Sequence, residues 1–410
     1  MIKKIKTIDL FAGCGGLSDG FEQTDLYETL ACVEWEKEPC NTLAKRLKEK
    51  WNYKNAYETV FQFDIQRTED LINGWENDPD YGTNIGINEI VKKNGGIDVL
   101  IGGPPCQAYS IAGRIRDQNG MNDDYRNFLF ESYLKVVHHF QPKAFIFENV
   151  PGLLSASPGG LSIVDRITEA FAEKGYEITD NLRENALIDC TKFGIPQARK
   201  RMVILGVNKN LINENPATAL NDFYNIIFPK YQSSPKTVKE AISDLPKLHP
   251  LENPITVSKK KFSHTYIPAE IQNHIPRMHN KRDIGTFKLL TSDIESGQNK
   301  YASVEALKNL YFDITGKRSN IHKYHVLKWD KPSNTIPAHL YKDGLRHIHP
   351  DPKQARTITV REAGRLQSFD DDFIFTGSSS DQYKMVGNAV PPKFAKAIAL
   401  ALNEFLNKYF

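Results

Sequence analysis

Cysteines are few in this sequence, and long apolar runs are absent. The five cysteines, Cys14, Cys32, Cys40, Cys106 and Cys190, form no C-x-x-C pair. An odd number without such pairs indicates neither a disulfide framework nor a zinc site, so a functional cysteine would act as a thiol. No run of 18 apolar residues predicts a membrane span, and the opening residues lack the apolar core and cleavage site of a signal peptide. We therefore expect a cytoplasmic protein with no bound metal.

Charge is nearly balanced over the whole chain, at a formal net +3, but it is unevenly distributed. Residues 207–350 contain 21 Lys and Arg against 13 Asp and Glu, a net charge of +8, and the remainder carries −5. Nine of the eleven histidines also lie in this segment. A basic segment in an otherwise acidic chain suggests contact with a polyanion. At this modest charge density, an ordinary solvated surface is the alternative.

The first half of the chain alternates short apolar runs with amphipathic stretches, which is typical of an α/β domain. A short strand is predicted to end near Asp64, and the other predicted strands are 6–11, 29–35, 98–103, 143–150 and 201–207. Helical spacing occurs over 21–26, 39–50, 125–140 and 163–174. This order predicts a mostly parallel, doubly wound sheet covered on both faces. The polar residues 66–96, rich in Gly and Asn, indicate an insertion or a partly ordered connection.

The regular alternation stops after residue 207, where prolines interrupt short apolar pieces, and it resumes near residue 356. The chain closes with PPKFAKAIALALNEFLNKYF, which predicts a helix behind two prolines with one apolar stripe, formed by Phe394, Ile398, Leu402, Phe405 and Leu406. We expect a cofactor-binding catalytic domain over 1–206, a smaller irregular domain over 207–355, and a return to the first domain over 356–410.

A glycine-rich turn follows the first predicted strand. In DLFAGCGGLSDGF, residues 9–21, four glycines stand within eight positions: Gly13, Gly15, Gly16 and Gly20. Ligands of open α/β sheets bind beyond the carboxyl ends of the strands, where glycines permit close approach. Glu34 ends the second strand, where an acid meets ribose hydroxyls, and Asp64 could accept from an adenine amino group. These residues favour an adenosine-containing cofactor over a purely structural turn, without separating NAD from S-adenosylmethionine.

Three further motifs place reactive groups at strand ends. GGPPCQAYS, residues 102–110, puts Cys106 in the loop beyond a strand, where it is either a reactive thiolate or a buried small side chain. The next strand ends in ENV with Glu148, either a functional carboxyl group or a surface acid. Gln197, Arg199 and Arg201 alternate before the last strand, so they share one face if the segment is extended. Two guanidinium groups there suit an anionic or carbonyl-rich ligand, or an exposed strand edge.

Together, these motifs resemble those of the C5-cytosine DNA methyltransferases, in the family's order and over both ends of the chain. DLFAGCGGLSDGF looks like the cofactor loop, Glu34 the ribose acid, and FDI with Asp64 the adenine contact. GGPPCQAYS looks like the nucleophile loop, ENV the general-acid motif and QARKR the arginine motif. REAGRLQSF (361–369) is similar to the element supporting the recognition domain, and KMVGNAVPP (384–392) to the closing cofactor motif.

The resemblance implies a Rossmann-like fold that uses S-adenosylmethionine as the methyl donor. The cofactor residues implied are Phe11, Ala12, Gly13, Gly15, Gly16, Leu17, Glu34, Trp35, Asp64, Ile65, Pro104, Asn388, Ala389 and Val390. The catalytic residues implied are Cys106, Glu148, Arg199 and Arg201. Cys106 would add to C6 of a flipped cytosine, Glu148 would donate to N3, and Arg201, helped by Arg199, would hold the O2 side.

Double-stranded DNA is the partner that the resemblance implies, with residues 207–355 as the target recognition domain. The DNA-binding residues expected are Gln107, Ser110, Arg114, Arg116, Gln197 and Arg346. We expect a monomer that methylates one short sequence in a restriction-modification system, and the sequence leaves open whether a companion restriction endonuclease acts on the same sequence. The sequence does not reveal which bases are recognised.

Departures from the family's motifs are small. Phe63 stands where Gly is usual, Gly364 where Ala is common, and Ala389 where Ser is frequent. An RNA cytosine methyltransferase of the tRNA type shares the Pro-Pro-Cys-Gln and Glu-Asn-Val motifs, but its Cys-Phe-Thr signature is absent here and it has Asn in place of Gln197. A silent DNA-binding regulator is disfavoured by the intact nucleophile and cofactor loops. A nicotinamide-dependent dehydrogenase would leave Cys106, Glu148 and the arginine pair unexplained.

Overall fold

The computed structural model describes residues 3–104, 128–155, 162–267 and 271–410. The chain divides into two compact units. Unit 1 comprises the described residues of Met1–Gly194, Arg199–Ser234 and Ala389–Phe410, and unit 2 those of Ile195–Ala198 and Pro235–Asn388. The boundaries between the two units differ in position from the domain boundaries after residues 206 and 355 that the sequence predicted. The functions expected for the three segments stay predictions.

Strands and helices alternate through unit 1 and become short and irregular in unit 2. The strands are β1 Ile5–Leu10, β2 Tyr27–Glu34, β3 Val60–Gln62, β4 Trp75–Asp78, β5 Gly82–Asn84, β6 Val99–Gly102, β7 Ala144–Asn149, β8 Tyr176–Glu177, β9 Leu187–Asp189, β10 Gln197–Ala198, β11 Lys200–Asn208, β12 Pro250–Val257, β13 Lys260–His264 and β14 Ser333–Asn334. The α-helices are α1 Gly16–Glu22, α2 Lys37–Glu49, α3 Ala56–Thr59, α4 Thr68–Asn73, α5 Gly86–Lys93, α6 Phe128–Phe140, α7 Ile163–Glu173, α8 Pro216–Asp222, α9 Val238–Ile242, α10 Lys281–Glu295, α11 Val304–Thr315, α12 Val360–Leu366, α13 Ser379–Asn388 and α14 Pro392–Tyr409.

An eight-stranded sheet forms the centre of unit 1. Its strands follow the order β3-β2-β1-β6-β7-β11-β8, and β9 pairs with β11. The five strands from β3 to β7 in this order are parallel, whereas β11 runs antiparallel to β7, β8 and β9. Consequently the carboxyl ends of β1, β2, β6 and β7 meet the amino end of β11 at one edge. The predicted mostly parallel sheet is confirmed.

Helices cover both faces of this sheet. Asp9 on β1 pairs in register with Ile101 on β6, and the Asp9 side chain receives a hydrogen bond from Ser18 of α1. Phe145 and Phe147 of β7 point to the opposite face, because successive residues of a strand alternate. There Phe145 stacks on Phe171 of α7 with ring centroids 4.3 Å apart, and Phe147 contacts Tyr133 of α6. The sheet is therefore doubly wound, as expected.

Residues 66–96 are ordered, so the sequence interpretation of a partly ordered connection was wrong. They form α4, a β4–β5 hairpin and α5. Buried apolar side chains explain the order, since this stretch inserts Leu71, Ile72, Trp75, Ile87 and Val91 into the core. The composition of the segment did not reveal this packing, because its apolar residues are few and scattered among polar ones.

The first helix also differs from its prediction. Helical spacing indicated 21–26, but α1 begins at Gly16 and ends at Glu22. A Cβ on Gly20 would lie 2.4 Å from both the Ala395 Cβ and the Pro392 O of α14. Gly20 therefore serves close packing between two helices of the same unit. The apolar stripe predicted for the closing helix is confirmed as buried.

Unit 2 is built around a small apolar core and a buried ion pair. Phe287, Leu290, Leu310, Tyr324, Val326, Ile348 and Ala355 form the apolar cluster. The Arg356 Nη1 and Nη2 groups each donate to one oxygen of the Glu362 carboxylate at 2.6 Å. Glu362 also completes a capping box with Thr359 at the start of α12. This pairing lowers the pKa of Glu362 strongly, so the carboxylate stays charged although it is buried.

Most histidines of the basic segment are structural. His264, His274, His279, His347 and His349 are buried in unit 2. Burial lowers the pKa of all five, to about 3 for His279 and about 4 for His264. They are therefore neutral near pH 7, and the positive charge of the segment comes from its lysines and arginines. In the described part of the chain, no helix is long and apolar enough to cross a membrane.

Gly20→Ala tests the packing of α1 on α14. The added methyl group would collide with the backbone of α14, so we expect the free energy of unfolding to fall by about 1–3 kcal/mol. Gly285→Ala in α10 is the matched control, because its Cβ would meet nothing within 4 Å, and should stabilise the helix by about 0.5–1 kcal/mol. Urea unfolding measures both, and equal effects from the two substitutions would contradict the packing role.

Candidate active site

The glycine turn after β1 is fixed by the end of β2. Phe11, Gly13 and Gly15 have φ values of 60°, 55° and 93°. The Ala12 N–H donates to Val33 O at 3.0 Å, and the Gly13 N–H donates to the Glu34 Oε2 at 2.9 Å. A Cβ on Gly13 would meet nothing within 4 Å, so this part of the turn borders open space. Gly13 is thus the glycine of the turn that a ligand can approach.

Gly16 contacts the closing segment of the same unit. A Cβ on Gly16 would lie 2.2 Å from Val390 O, so only glycine permits this approach of two backbones. Leu17, Ala389 and Val390 are buried around the contact. The closing segment therefore supports the glycine turn directly. Asn388, the last residue of α13, belongs to unit 2 and is exposed.

Glu34 is held by backbone donors on both sides. In addition to Gly13, the Trp35 and Glu36 N–H groups donate to its Oε1 at 2.9 and 2.8 Å. Burial raises the pKa of the Glu34 carboxyl above its usual value, against these hydrogen bonds. Trp35 follows with 56% of its surface exposed, which is unusual for the largest apolar side chain. An oriented acid beside an exposed indole suits a planar ligand with hydroxyl groups.

Asp64 lies just beyond β3, half-buried, and its Oδ1 accepts from the Gln66 N–H at 3.0 Å. Ile65 is buried beneath it. Phe63, at the position where the family usually has Gly, stacks on Trp75 with ring centroids 4.0 Å apart. Phe63 therefore replaces the usual Gly at a position where its ring packs against the 66–96 segment.

The ends of β6 and β7 touch each other. The Asn149 Nδ2 donates to Pro104 O at 3.3 Å, and Pro104 is buried. A Cβ on Gly103 would lie 2.8 Å from the Glu148 Oε2, so the absence of a side chain leaves room for this carboxyl group. Of the predicted site residues, Cys106, Gln107, Ser110, Arg114 and Arg116 lie outside the described residues.

Glu148 and Arg201 form an ion pair across β7 and β11. The Arg201 Nε lies 2.8 Å from the Glu148 Oε1, and both side chains are almost buried. Burial raises the pKa of the Glu148 carboxyl, and this effect exceeds the opposing influence of Arg201 and Arg199. A raised pKa favours the protonated form of this carboxyl group, which can then donate a proton.

Arg199 points to the closing segment of unit 1. Only 2% of its surface is exposed, and its Nη2 donates to Ala389 O at 3.0 Å. Burial and the neighbouring Arg201 lower the pKa of Arg199 to about 9. Arg201, in β11, therefore meets Glu148, whereas Arg199, just before β11, meets the backbone beside Val390.

Gln197 does not share an exposed face with the two arginines. It belongs to unit 2 and is fully buried, where its Nε2 donates to Leu366 O at 3.3 Å and its Oε1 accepts from the Ile336 N–H at 3.0 Å. These contacts give Gln197 a structural role, and its predicted contact with DNA receives no support from this placement. Arg346 is exposed, with its Nη2 3.5 Å from the His322 Nε2.

Sequence reasoning missed Asp9, which lies in β1 directly beneath the glycine turn. Its side chain is fully buried, and the Ser18 hydroxyl donates to its Oδ2 at 2.5 Å. Burial raises the pKa of Asp9 to about 7. The sequence signal for Asp9 is an acid between the apolar residues Ile8 and Leu10 of β1. A buried acid without a cationic partner is costly in a core strand.

Sequence comparisons identify the family. The model described as C-5 cytosine-specific DNA methylase matches residues 5–404, so the chain belongs to that family and is a DNA cytosine-5 methyltransferase. The Type II methyltransferase M.Bpa9945I of Bacillus paralicheniformis is 33% identical, with 98% of this chain and 99% of the relative covered. The Type II methyltransferase M1.HphI of Haemophilus parahaemolyticus is 32% identical, with 96% and 86% covered.

Solved structures share the fold at lower identity. A prophage-encoded protein of E. coli that carries the name DNA modification methyltransferase has a TM-score of 0.62 at 24% identity, covering 98% of this chain and 100% of its own. The Dnmt2 methyltransferase of S. pombe has a TM-score of 0.52 at 12% identity, covering 99% of both chains. At these identities the likeness shows the α/β fold alone.

Asp9→Asn tests the cost of the buried carboxyl group. A pKa of about 7 in the folded chain, against 3.8 for an ordinary Asp, means that the folded state binds this proton more tightly. The wild type should therefore lose stability relative to Asp9→Asn as the pH rises from about 4 to about 7, with no further loss above. The Ser18 hydroxyl can donate equally to the Asn side chain. Urea unfolding at several pH values measures the difference, and a difference independent of pH would refute the assignment.

Proposed function

We propose that the enzyme transfers a methyl group from S-adenosylmethionine to C5 of a cytosine that is flipped out of duplex DNA, through a covalent bond between Cys106 and C6. The pairing of Glu148 with Arg201 at the strand ends carries this proposal. The predicted site residues of unit 1 that the structure describes all lie near the same edge of the sheet, where ligands of open α/β folds bind.

The residues around the glycine turn fit S-adenosylmethionine. A carboxylate accepts about four hydrogen bonds, and three N–H groups of the described chain donate to Glu34, which leaves room for a ribose hydroxyl. Gly13 borders open space, and Trp35 offers an exposed ring to an adenine. Phe11, Ala12, Gly15, Gly16, Leu17, Asp64, Ile65, Pro104, Asn388, Ala389 and Val390 would complete the site. When bound, the cofactor supplies the methyl group as an electrophile.

Cys106, Glu148 and Arg201 would activate the target base. Cytosine C5 is a poor nucleophile, so the Cys106 thiolate adds to C6 while Glu148 protonates or hydrogen-bonds N3, and electron density moves to C5. After C5 takes up the methyl group, the C5 proton leaves and the bond between C6 and the Cys106 sulfur breaks, which restores the ring and the thiolate. Arg201 holds Glu148 and the O2 side of the base. The raised pKa of Glu148 supports a proton donor. These atoms of cytosine are unreachable within a stacked duplex, which supports base flipping.

The relatives point to a biological setting. The two reported above carry the name Type II methyltransferase and align over nearly the whole of this chain. By this likeness the enzyme protects DNA in a restriction-modification system, beside an endonuclease that cuts the same sequence. Residues 207–355 are then the target recognition domain, and Arg346 is its exposed candidate contact. A monomeric state and a cytoplasmic location stay predictions.

Base-resolution methylation mapping tests the reaction. A diverse DNA library is incubated with S-adenosylmethionine and either the wild type or Cys106→Ser. We expect C5 methylation within one short sequence for the wild type and none for Cys106→Ser, because a hydroxyl group is a far weaker nucleophile than a thiolate. An RNA substrate is tested in parallel. Methylation of RNA alone, or full activity of Cys106→Ser, would reject the proposal.

Glu148→Gln tests proton donation separately from folding. In single-turnover methylation we expect the rate to fall by about 10²–10⁴-fold, because an amide cannot transfer a proton to N3. The wild-type rate should decline as the pH rises through the raised pKa of Glu148, and Glu148→Gln should lack this decline. Cofactor affinity, measured by calorimetry with S-adenosylhomocysteine, serves as the control for folding. A wild-type rate in Glu148→Gln would remove Glu148 from the mechanism.

A further inference from the structure

A two-stranded ribbon in unit 2, formed by β12 and β13 over residues 250–264, has no counterpart among the motifs discussed above. Ile255, Thr256 and Val257 pair in antiparallel register with Phe262, Lys261 and Lys260. The turn between the strands consists of Ser258 and Lys259, whose φ values are 46° and 65°. Positive φ at both central residues is the geometry of a tight two-residue hairpin turn, so the ribbon ends in a narrow tip.

The ribbon projects from the body of unit 2. Residues 252–256 are five consecutive exposed positions of β12, and successive residues of a strand face opposite sides. Both sides of the ribbon therefore face solvent at this point, and even Ile255 is 42% exposed. A strand that merely covered a core would bury every second residue.

The base of the ribbon is firmly attached. Phe262 is buried and stacks on Tyr266 with ring centroids 4.6 Å apart. The Ser263 hydroxyl accepts from the His279 N–H at 2.9 Å, and the His264 Nε2 lies 2.9 Å from Gln354 O. These contacts hold the tip in a defined position relative to the core of unit 2.

Three consecutive lysines occupy the tip. Lys259, Lys260 and Lys261 are all exposed, and none of their side-chain amino groups forms an ion pair or hydrogen bond with another described residue. Glu252, near the base, is the sole acid of the ribbon, so its charges are segregated with the positive end outermost. Thr256 and Lys261 share one polar face, because residues directly opposite in an antiparallel pair point to the same side.

We propose that this ribbon is a DNA-contacting arm, with its lysine tip bound to backbone phosphates of the substrate duplex. The proposal rests on the DNA methyltransferase function. A two-stranded ribbon fits the width of the DNA major groove, and closely spaced cations suit the regular line of phosphates. Phosphate contacts fix the register of a protein on DNA, so the arm positions the duplex for base reading by other residues.

The replacement of all three lysines, Lys259→Gln with Lys260→Gln and Lys261→Gln, tests the arm. We measure the binding constant for a mixed-sequence duplex over a range of salt concentrations. The slope of log K against log salt is negative, and each lost phosphate contact should reduce its magnitude by about 0.9. We therefore expect the slope of the ribbon variant to be shallower by roughly 2–3, and its affinity at low salt to be about tenfold or more lower. The corresponding three arginine substitutions should retain the wild-type slope, since they keep the charge.

Lys54→Gln with Lys92→Gln and Lys93→Gln is the matched control, because it removes the same charge from exposed lysines of unit 1. This control should leave the slope within about 0.5 of the wild type. An unchanged slope in the ribbon variant, an equal change in the control, or failure of the arginine variant to retain the slope would each overturn the proposal. Thermal unfolding confirms that each variant is folded.

Failure of the arm and failure of the proposed reaction are distinguishable. DNA binding is measured without cofactor, whereas methylation is measured on the wild type with S-adenosylmethionine. If the wild type does not methylate DNA but the ribbon variant has a shallower salt dependence of binding than the wild type, the reaction is refuted and the arm is supported. Wild-type methylation together with an unaltered slope in the ribbon variant refutes the arm alone.

Discussion

The close approach of two backbone segments supports the candidate site. Gly16, at the start of α1, lies against Val390, and Gly20 one turn later lies against Pro392 and Ala395. A side chain at either glycine would push the first and last helices of unit 1 apart. The glycine turn over 11–17 depends on this contact, because its far end is the start of α1. Arg199, just before β11, contacts the same closing segment by donating a hydrogen bond to Ala389 O.

Buried carboxyl groups occur both at the strand ends and in helices, and their environments shift their pKa values in different directions. Glu148 is paired with Arg201, but burial still raises the pKa of its carboxyl group. Glu362 is buried to a similar depth, yet two hydrogen bonds from Arg356 lower its pKa strongly. Such contrast between two carboxyl groups separates a group that can exchange a proton from one that only stabilises the fold.

Local patterns in the sequence identified the main strands of unit 1 and the closing helix, because apolar periodicity is a property of short segments. The roles of the side chains at the strand ends stay predictions. Gly20 was interpreted as part of a turn, but it packs on α14. Gln197 lies in the core of unit 2, and its contact with DNA stays a prediction. Their partners are more than a hundred residues away in the sequence, so no local pattern reveals them. The burial of the histidines of unit 2 was not predicted for the same reason.

The position of unit 2 in the chain affects how the protein emerges from the ribosome. The strands β1 to β11 are synthesised first, then most of unit 2, and α14 only at the end. At about 5–20 residues per second, the surface of α1 that α14 covers waits roughly 20–70 s for its partner. Unit 2 is complete before α14 exists and can fold ahead of unit 1. The surface of α1 that α14 covers therefore stays exposed until α14 has been synthesised. During that time we expect chaperones that bind emerging chains to be able to reach it.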